Sequence, residues 1–254
     1  MPAKILSHLS LLLICFAFSS HAKELKIAIS QDAPPYVINQ AKSGLEVDVI
    51  TQSLPDYTIS FIQMGWGEIL GAIERGMAEA EANVHGNNGD LYYSNDYIAF
   101  INYAISRKKD QIKINQLKDL VGHHVITWTG AHKDLGPEFS QLFSPGKIGA
   151  KNYVELESSQ DQVKEFWRED NSIIIIDKSI FSYFSSKDGH SMNEVDIHTI
   201  VVPVLTFKMA FKNKADRDAF NHGLRQLCNK GIYEALLKRY SVAPEANICK
   251  NLSQ

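Results

Sequence analysis

The sequence predicts an α/β fold of parallel strands covered by helices, and three observations predict it. Strand-like and helix-like segments alternate along the chain, the pattern of sheets whose crossovers are helical. The run Ile173-Ile174-Ile175-Ile176 is β-branched throughout, which suits a central strand buried on both faces. Near the amino end, Ile27-Ala28-Ile29 runs through Ala33-Pro34-Pro35-Tyr36 to Gly44 and a helix carrying Glu46 and Asp48. That order places a polar loop at the carboxyl end of a strand, where open α/β sheets receive ligands.

The elements follow in order. Thr58–Gln63 alternates apolar and polar residues as a strand does, and Gly65-Trp66-Gly67 turns it into a helix expected over Glu68–Arg75 and ended by Gly76. Ala80–Val84 and Ile98–Ser106 read as strands, the second followed by Arg107-Lys108-Lys109. His124–Trp128 is strand-like, and Leu135–Phe143 reads as a helix stopped by Pro145-Gly146. Val163, Phe166 and Trp167 give Ser158–Arg168 helical spacing. Thr199–Ala210 is apolar and extended; Pro203 cannot donate to a ladder and so marks a crossover or an edge. Asp216–Cys228 and Gly231–Tyr240 read as two further helices.

Residues 1–22 have the order of an export leader: Lys4, an apolar core from Leu11 to Phe18, then Ser20-His21-Ala22 with small residues where a signal peptidase reads. The core is far shorter than the roughly 20 apolar residues that span a bilayer. Cleavage is expected after Ala22, the alternative being a retained anchor. Ile14 before Cys15 argues against a lipoprotein. The leader carries one lysine and no acid, so the mature chain keeps 25 basic against 29 acidic residues, a net charge of −4. Nucleic acid is therefore not an expected partner, since phosphate contact calls for a basic face. Cys228 and Cys249 remain as an even pair in an oxidising compartment, and a disulfide between them is expected over two free thiols.

Further segments carry a resemblance. With the Leu25–Ile50 opening, they are Trp66–Glu79, Tyr93-Ser94-Asn95-Asp96-Tyr97, Leu117–Gly122, Ile176-Asp177 and Asn221–Tyr240 with its Gly231-Ile232-Tyr233. In this order the chain resembles the extracellular solute-binding proteins of family 3, which serve amino-acid uptake. The resemblance implies a two-lobed, type II periplasmic-binding-protein-like fold with two hinge strands and a ligand cleft. Lobe one would be residues 23–103 plus 206–254 and lobe two 104–205, with hinges near Tyr103 and Thr206. It also implies a periplasmic, monomeric protein that closes on a small molecule. Its membrane partner would be a transporter permease or a receptor. No cofactor is implied.

In such a protein the contacts come from strand ends: Ser30, Asp32, Tyr36, Trp66, Asn83, His85 and Asn87 in lobe one, and Thr129, His132 and Asp177 in lobe two. Trp66 matches the family's aromatic platform; a core tryptophan is the alternative. Asp177 matches the aspartate that takes the ligand's amino group, and capping the helix from Lys178 is the alternative. The chain also departs from the family. Its relatives hold an α-carboxylate with an arginine, a bidentate fork that lysine cannot copy. Between Arg75 and Arg107 there is no arginine or lysine. The lobe-two hydroxyls are reduced to Thr129 before Gly130-Ala131-His132. A neutral or cationic solute is thus expected in place of an ordinary α-amino acid. His85, His123, His124 and His132 match no structural zinc spacing, so no metal is expected. Some proteins of this fold are dehydratases, and Glu46, Asp32 or Asp177 would then supply the acid. With no paired acid and base, a non-enzyme is expected.

Overall fold

The computed structural model describes residues 22–86, 90–201 and 204–252. Most of the expected leader, Asn87 and Pro203 lie outside the described residues.

Among the described residues ten strands form one continuous sheet: β1 (Lys23–Ser30), β2 (Tyr57–Met64), β3 (Ala80–Val84), β4 (Tyr92–Tyr93), β5 (Ile98–Arg107), β6 (His124–Trp128), β7 (Tyr153–Leu156), β8 (Ser172–Asp177), β9 (Val195–His198) and β10 (Val204–Phe211). Their order is β2-β1-β3-β10-β5-β8-β6-β7, with β4 beside β10 and β9 beside β5. The sheet has two halves. In the first, β2, β1 and β3 are parallel and β10 closes the edge antiparallel. In the second, β7, β6 and β8 are parallel and β5 runs antiparallel to β8.

Two strands pass between the halves. Ile98–Ile101 of β5 pair with β10, whereas Asn102–Ser106 pair with β8. In β10, Val204–Phe207 pair with β5, and from Lys208 onward the partners are β3 and β4. A β-bulge between Lys208 and Ala210 marks that exchange, and bulges bend a strand.

The helices among the described residues are α1 (Leu45–Ser53), α2 (Trp66–Ile69), α3 (Ala131–Asp134), α4 (Pro137–Phe143), α5 (Ser159–Arg168), α6 (Lys178–Lys187), α7 (Lys214–Asn229), α8 (Ile232–Arg239) and α9 (Cys249–Leu252). The isoleucine run of β8 is wholly buried, as expected of a central strand. The expected helix over Glu68–Arg75 shrinks to the single turn of α2. Leu70 leaves the helix with ψ 123°, and Gly71 then takes φ +84°, a conformation side chains resist. The helix expected from Leu135 divides at Pro137, which opens α4 because its fixed φ suits a first helical position. Cys228 and Cys249 are joined in a disulfide with Cα atoms 5.4 Å apart, tying α7 to α9. No described helix is long and apolar enough to cross a membrane.

Candidate functional site

A cavity lies where the two halves of the sheet meet, lined by Trp66, Phe100, Asn102, Trp128, Ser159, Gln162, Ile176, Asp177, Ile180 and Phe207. The cavity measures about 360 Å³, part of it open to solvent. It forms a slot at the meeting of the two halves. The exchanging strands supply its base: Phe100 and Asn102 from β5 and Phe207 from β10. Trp66 enters from the β2–α2 turn, Trp128 from the end of β6, and Ser159 and Gln162 from the first turn of α5. The aromatic rings pack edge to face, with Phe100 and Phe207 centroids 5.5 Å apart at 85° and Phe100 and Trp66 6.2 Å apart at 80°.

Three polar side chains in the lining have hydrogen-bonding capacity to spare. Asn102 is 4% exposed, Ser159 5% and Gln162 1%. Gln162 donates Nε2 to the Leu156 carbonyl at 3.1 Å, which fixes the amide orientation and leaves Oε1 without a donor among the described residues. The side chains of Asn102 and Ser159 make no hydrogen bond among the described residues. None of their free polar atoms is among the fully buried unpaired ones, so water reaches them in the slot and a guest entering it would take the water's place.

Asp177 is the one charged group in the lining, and its acceptor positions are filled. Oδ2 receives the Tyr36 hydroxyl at 2.9 Å and the Ile101 N–H at 2.8 Å. Oδ1 receives the N–H groups of Ser179 and Ile180 at 2.8 and 3.2 Å, the cap of α6. Burial pushes its carboxyl above the usual range, against the pull of these donors.

Contacts between the halves hold the slot shut. Besides the Tyr36–Asp177 bond, Glu157 accepts the Gly67 N–H at 2.7 Å, while the Thr129 hydroxyl of its own half, at 3.0 Å, steadies the carboxylate. Its carbonyl receives the Trp66 N–H at 3.4 Å. A Cβ on Gly67 would stand 2.8 Å from Glu157 Oε1, so glycine beside Trp66 is what permits the approach. At the rim, His85 lies on the Phe207 ring with centroids 4.0 Å apart and reaches Asp134 at 3.6 Å. Asp134 also receives the Trp128 indole N–H at 2.9 Å.

Of the expected contacts, Trp66 and Asp177 line the slot. Tyr36 sits beneath it, bonded to Asp177 and packed on Phe100 with centroids 4.3 Å apart. Thr129 and His85 stand at the rim. Asn83 turns away to Glu46, donating Nδ2 to Oε1 at 2.8 Å. His132 is drawn off by Glu155 at 2.7 Å. Burial raises the Glu155 carboxyl, but the Gly130 N–H, the Tyr153 hydroxyl and His132 together hold it below its usual value. Ser30 is buried outside the slot, its hydroxyl without a partner. Asp32 accepts the Gln40 N–H and the Gln63 side-chain N–H, both at 2.9 Å. Phe100, Asn102, Trp128, Ser159, Gln162 and Phe207 escaped the sequence reading. Asn102 carried a signal: it is a lone amide interrupting the run Ile98–Ile105. Among the described residues no His, Cys, Asp and Glu group is arranged to hold a metal ion.

No family model matches the chain, and no curated protein matches it by sequence. Its fold, however, is shared by many solved structures. One is a substrate-binding protein of an ABC uptake transporter from Streptococcus pneumoniae with bound histidine. It is 13% identical, with a TM-score of 0.71 over 87% of this chain and 93% of that one. A histidine kinase sensor domain with similarity to periplasmic binding proteins is 16% identical, with a TM-score of 0.71 over 87% and 97%. The P235GK mutant of ArgBP from T. maritima is 18% identical, with a TM-score of 0.67 over 85% and 94%. These likenesses establish the two-lobed type II periplasmic-binding fold, in agreement with the resemblance drawn from the sequence.

Proposed function

We propose that this chain is an exported solute-binding protein that captures a small molecule by hinge closure and performs no chemistry on it. Its lobes are residues 23–103 with 206–254, and 104–205. The observation that carries the proposal is the slot between them, where three nearly buried polar side chains with hydrogen-bonding capacity to spare are set among aromatic walls. A guest would bias closure only through contacts that the open state lacks, and this slot is bounded by both lobes. No arginine or lysine lines it among the described residues, which supports excluding an ordinary α-amino acid held by its carboxylate. The four donors on Asp177 withdraw support from a cationic guest, leaving a neutral one. Delivery to an ABC-type transporter is the favoured use. Reporting to a membrane receptor is the second, supported by the similar kinase sensor domain.

A thermal-shift screen of the mature protein against amino acids, polyamines, sugars, nucleobases and small amides tests the proposal. A solute at 100 times its Kd adds about 2.7 kcal/mol, or roughly 5–11 °C in Tm for a chain of this size. Strong stabilisation by several ordinary α-amino acids overturns the reading of the missing arginine. A screen in which no solute raises Tm or changes tryptophan fluorescence overturns solute binding itself.

A further inference from the structure

Resting on the solute-binding reading, we infer that the cleft selects an uncharged, flat ligand carrying an amide-like edge, read by Asn102, Gln162 and Ser159. The lining separates into two kinds of surface. Four aromatic rings and the side chains of Ile176 and Ile180 offer apolar faces along the slot. A planar ring system suits those faces, and stacking on such rings adds to the gain from burial.

The polar groups define the edge. Gln162 Oε1 accepts only, because its Nε2 is committed to the Leu156 carbonyl. The guest must therefore present a donor there. The Ser159 hydroxyl and the Asn102 amide both donate and accept, so an adjacent carbonyl on the guest meets a donor. A primary or cyclic amide supplies that pair: N–H beside C=O. Charge is selected against by the same lining. A carboxylate would find no cation among the described lining residues and would face Asp177 and Gln162 Oε1. An ammonium group would find the Asp177 acceptor positions already taken. Sites built from hydrogen-bonding groups reject analogues that leave those groups unpaired, which gives this edge its discriminating power.

Matched pairs of probes test the assignment by calorimetry and tryptophan fluorescence: nicotinamide against nicotinate, and benzamide against benzoate, with L-phenylalanine and L-histidine as zwitterions. Each amide is expected to bind at least tenfold more tightly than its carboxylate partner. Asn102→Leu should weaken nicotinamide at least tenfold, and Ser159→Ala several-fold. Should Asn102→Leu fail to fold by circular dichroism, Ser159→Ala carries the test. Preference for the carboxylates or zwitterions overturns the ligand class while leaving solute binding intact. Silence from both amides, or unchanged affinity in the folded variants, also overturns it. The broad screen described above then decides separately whether any solute binds.

Discussion

Replacing Glu46 by glutamine probes the buried acid beneath the cleft loop. Glu46 is fully buried at the start of α1. Its Oε1 accepts the Tyr97 hydroxyl at 2.5 Å and Asn83 Nδ2 at 2.8 Å, while Oε2 is buried without a partner. Burial outweighs these two donors and pushes the carboxyl from its ordinary 4.5 up to about 7. A folded-state value above the unfolded one means that the native protein holds its proton more tightly than the unfolded chain. The resulting stability is present in full below pH 4.5 and is lost as pH rises through about 7. At 1.36 kcal/mol for each tenfold change in proton affinity, the wild type loses about 3 kcal/mol between pH 4 and 7 from this group. Glutamine keeps the acceptor for Tyr97 and Asn83 and cannot ionise, so the cost of its unpaired amide is the same at every pH. Urea unfolding of both proteins at pH 4, 5, 6, 7 and 8 isolates the effect, because all other titrations cancel. The stability of the variant minus that of the wild type should climb by about 3 kcal/mol from pH 4 to 7 and then level off. A difference that stays flat, or that falls with pH, refutes the argument that burial governs this carboxyl.

Two further outcomes follow from the fold. Replacing Cys228 and Cys249 by serine opens a loop of sequence separation 21. Chain entropy sets the cost at about 3 kcal/mol, seen as a fall of roughly 6–12 °C in Tm; an unchanged Tm would contradict it. Gly67→Ala would bring a Cβ to 2.8 Å from Glu157 Oε1 and 3.0 Å from Thr129 Cγ2. Losing the Gly67–Glu157 bond removes about 1 kcal/mol from the closed state, so ligand-free X-ray scattering should show a larger radius of gyration. A scattering curve superimposing on that of the wild type would show that Glu157 does not hold the lobes.

The architecture was legible because it is written in local patterns. Ala80–Val84 and His124–Trp128 have the bounds read from the sequence. The first alternates apolar and polar residues, the second is mostly apolar, and a glycine follows each within two residues. The passage after Trp66 was misread because its apolar spacing looks helical, while the backbone of Gly71 decides otherwise. The slot was legible only in part. A search confined to strand ends finds Trp66 and Asp177 but passes over strands that cross between lobes, whose middles face the cleft. Phe100, Asn102 and Phe207 lie there, and pairing across the sheet brings them together from more than a hundred positions apart. Asp177 illustrates the other limit. Its residue type and place suit a ligand contact and a helix cap equally, and only the positions of Tyr36, Ile101, Ser179 and Ile180 decide which donors fill it.

Because β5 and β10 are both the connection between lobes and the base of the slot, a guest resting on Phe100, Asn102 and Phe207 presses on the fulcrum. Atoms at a pivot travel least, so recognition can stay rigid there while small rotations are magnified with distance from it. A partner touching the far side of a lobe would then sense occupancy as a displacement, without ever meeting the bound molecule.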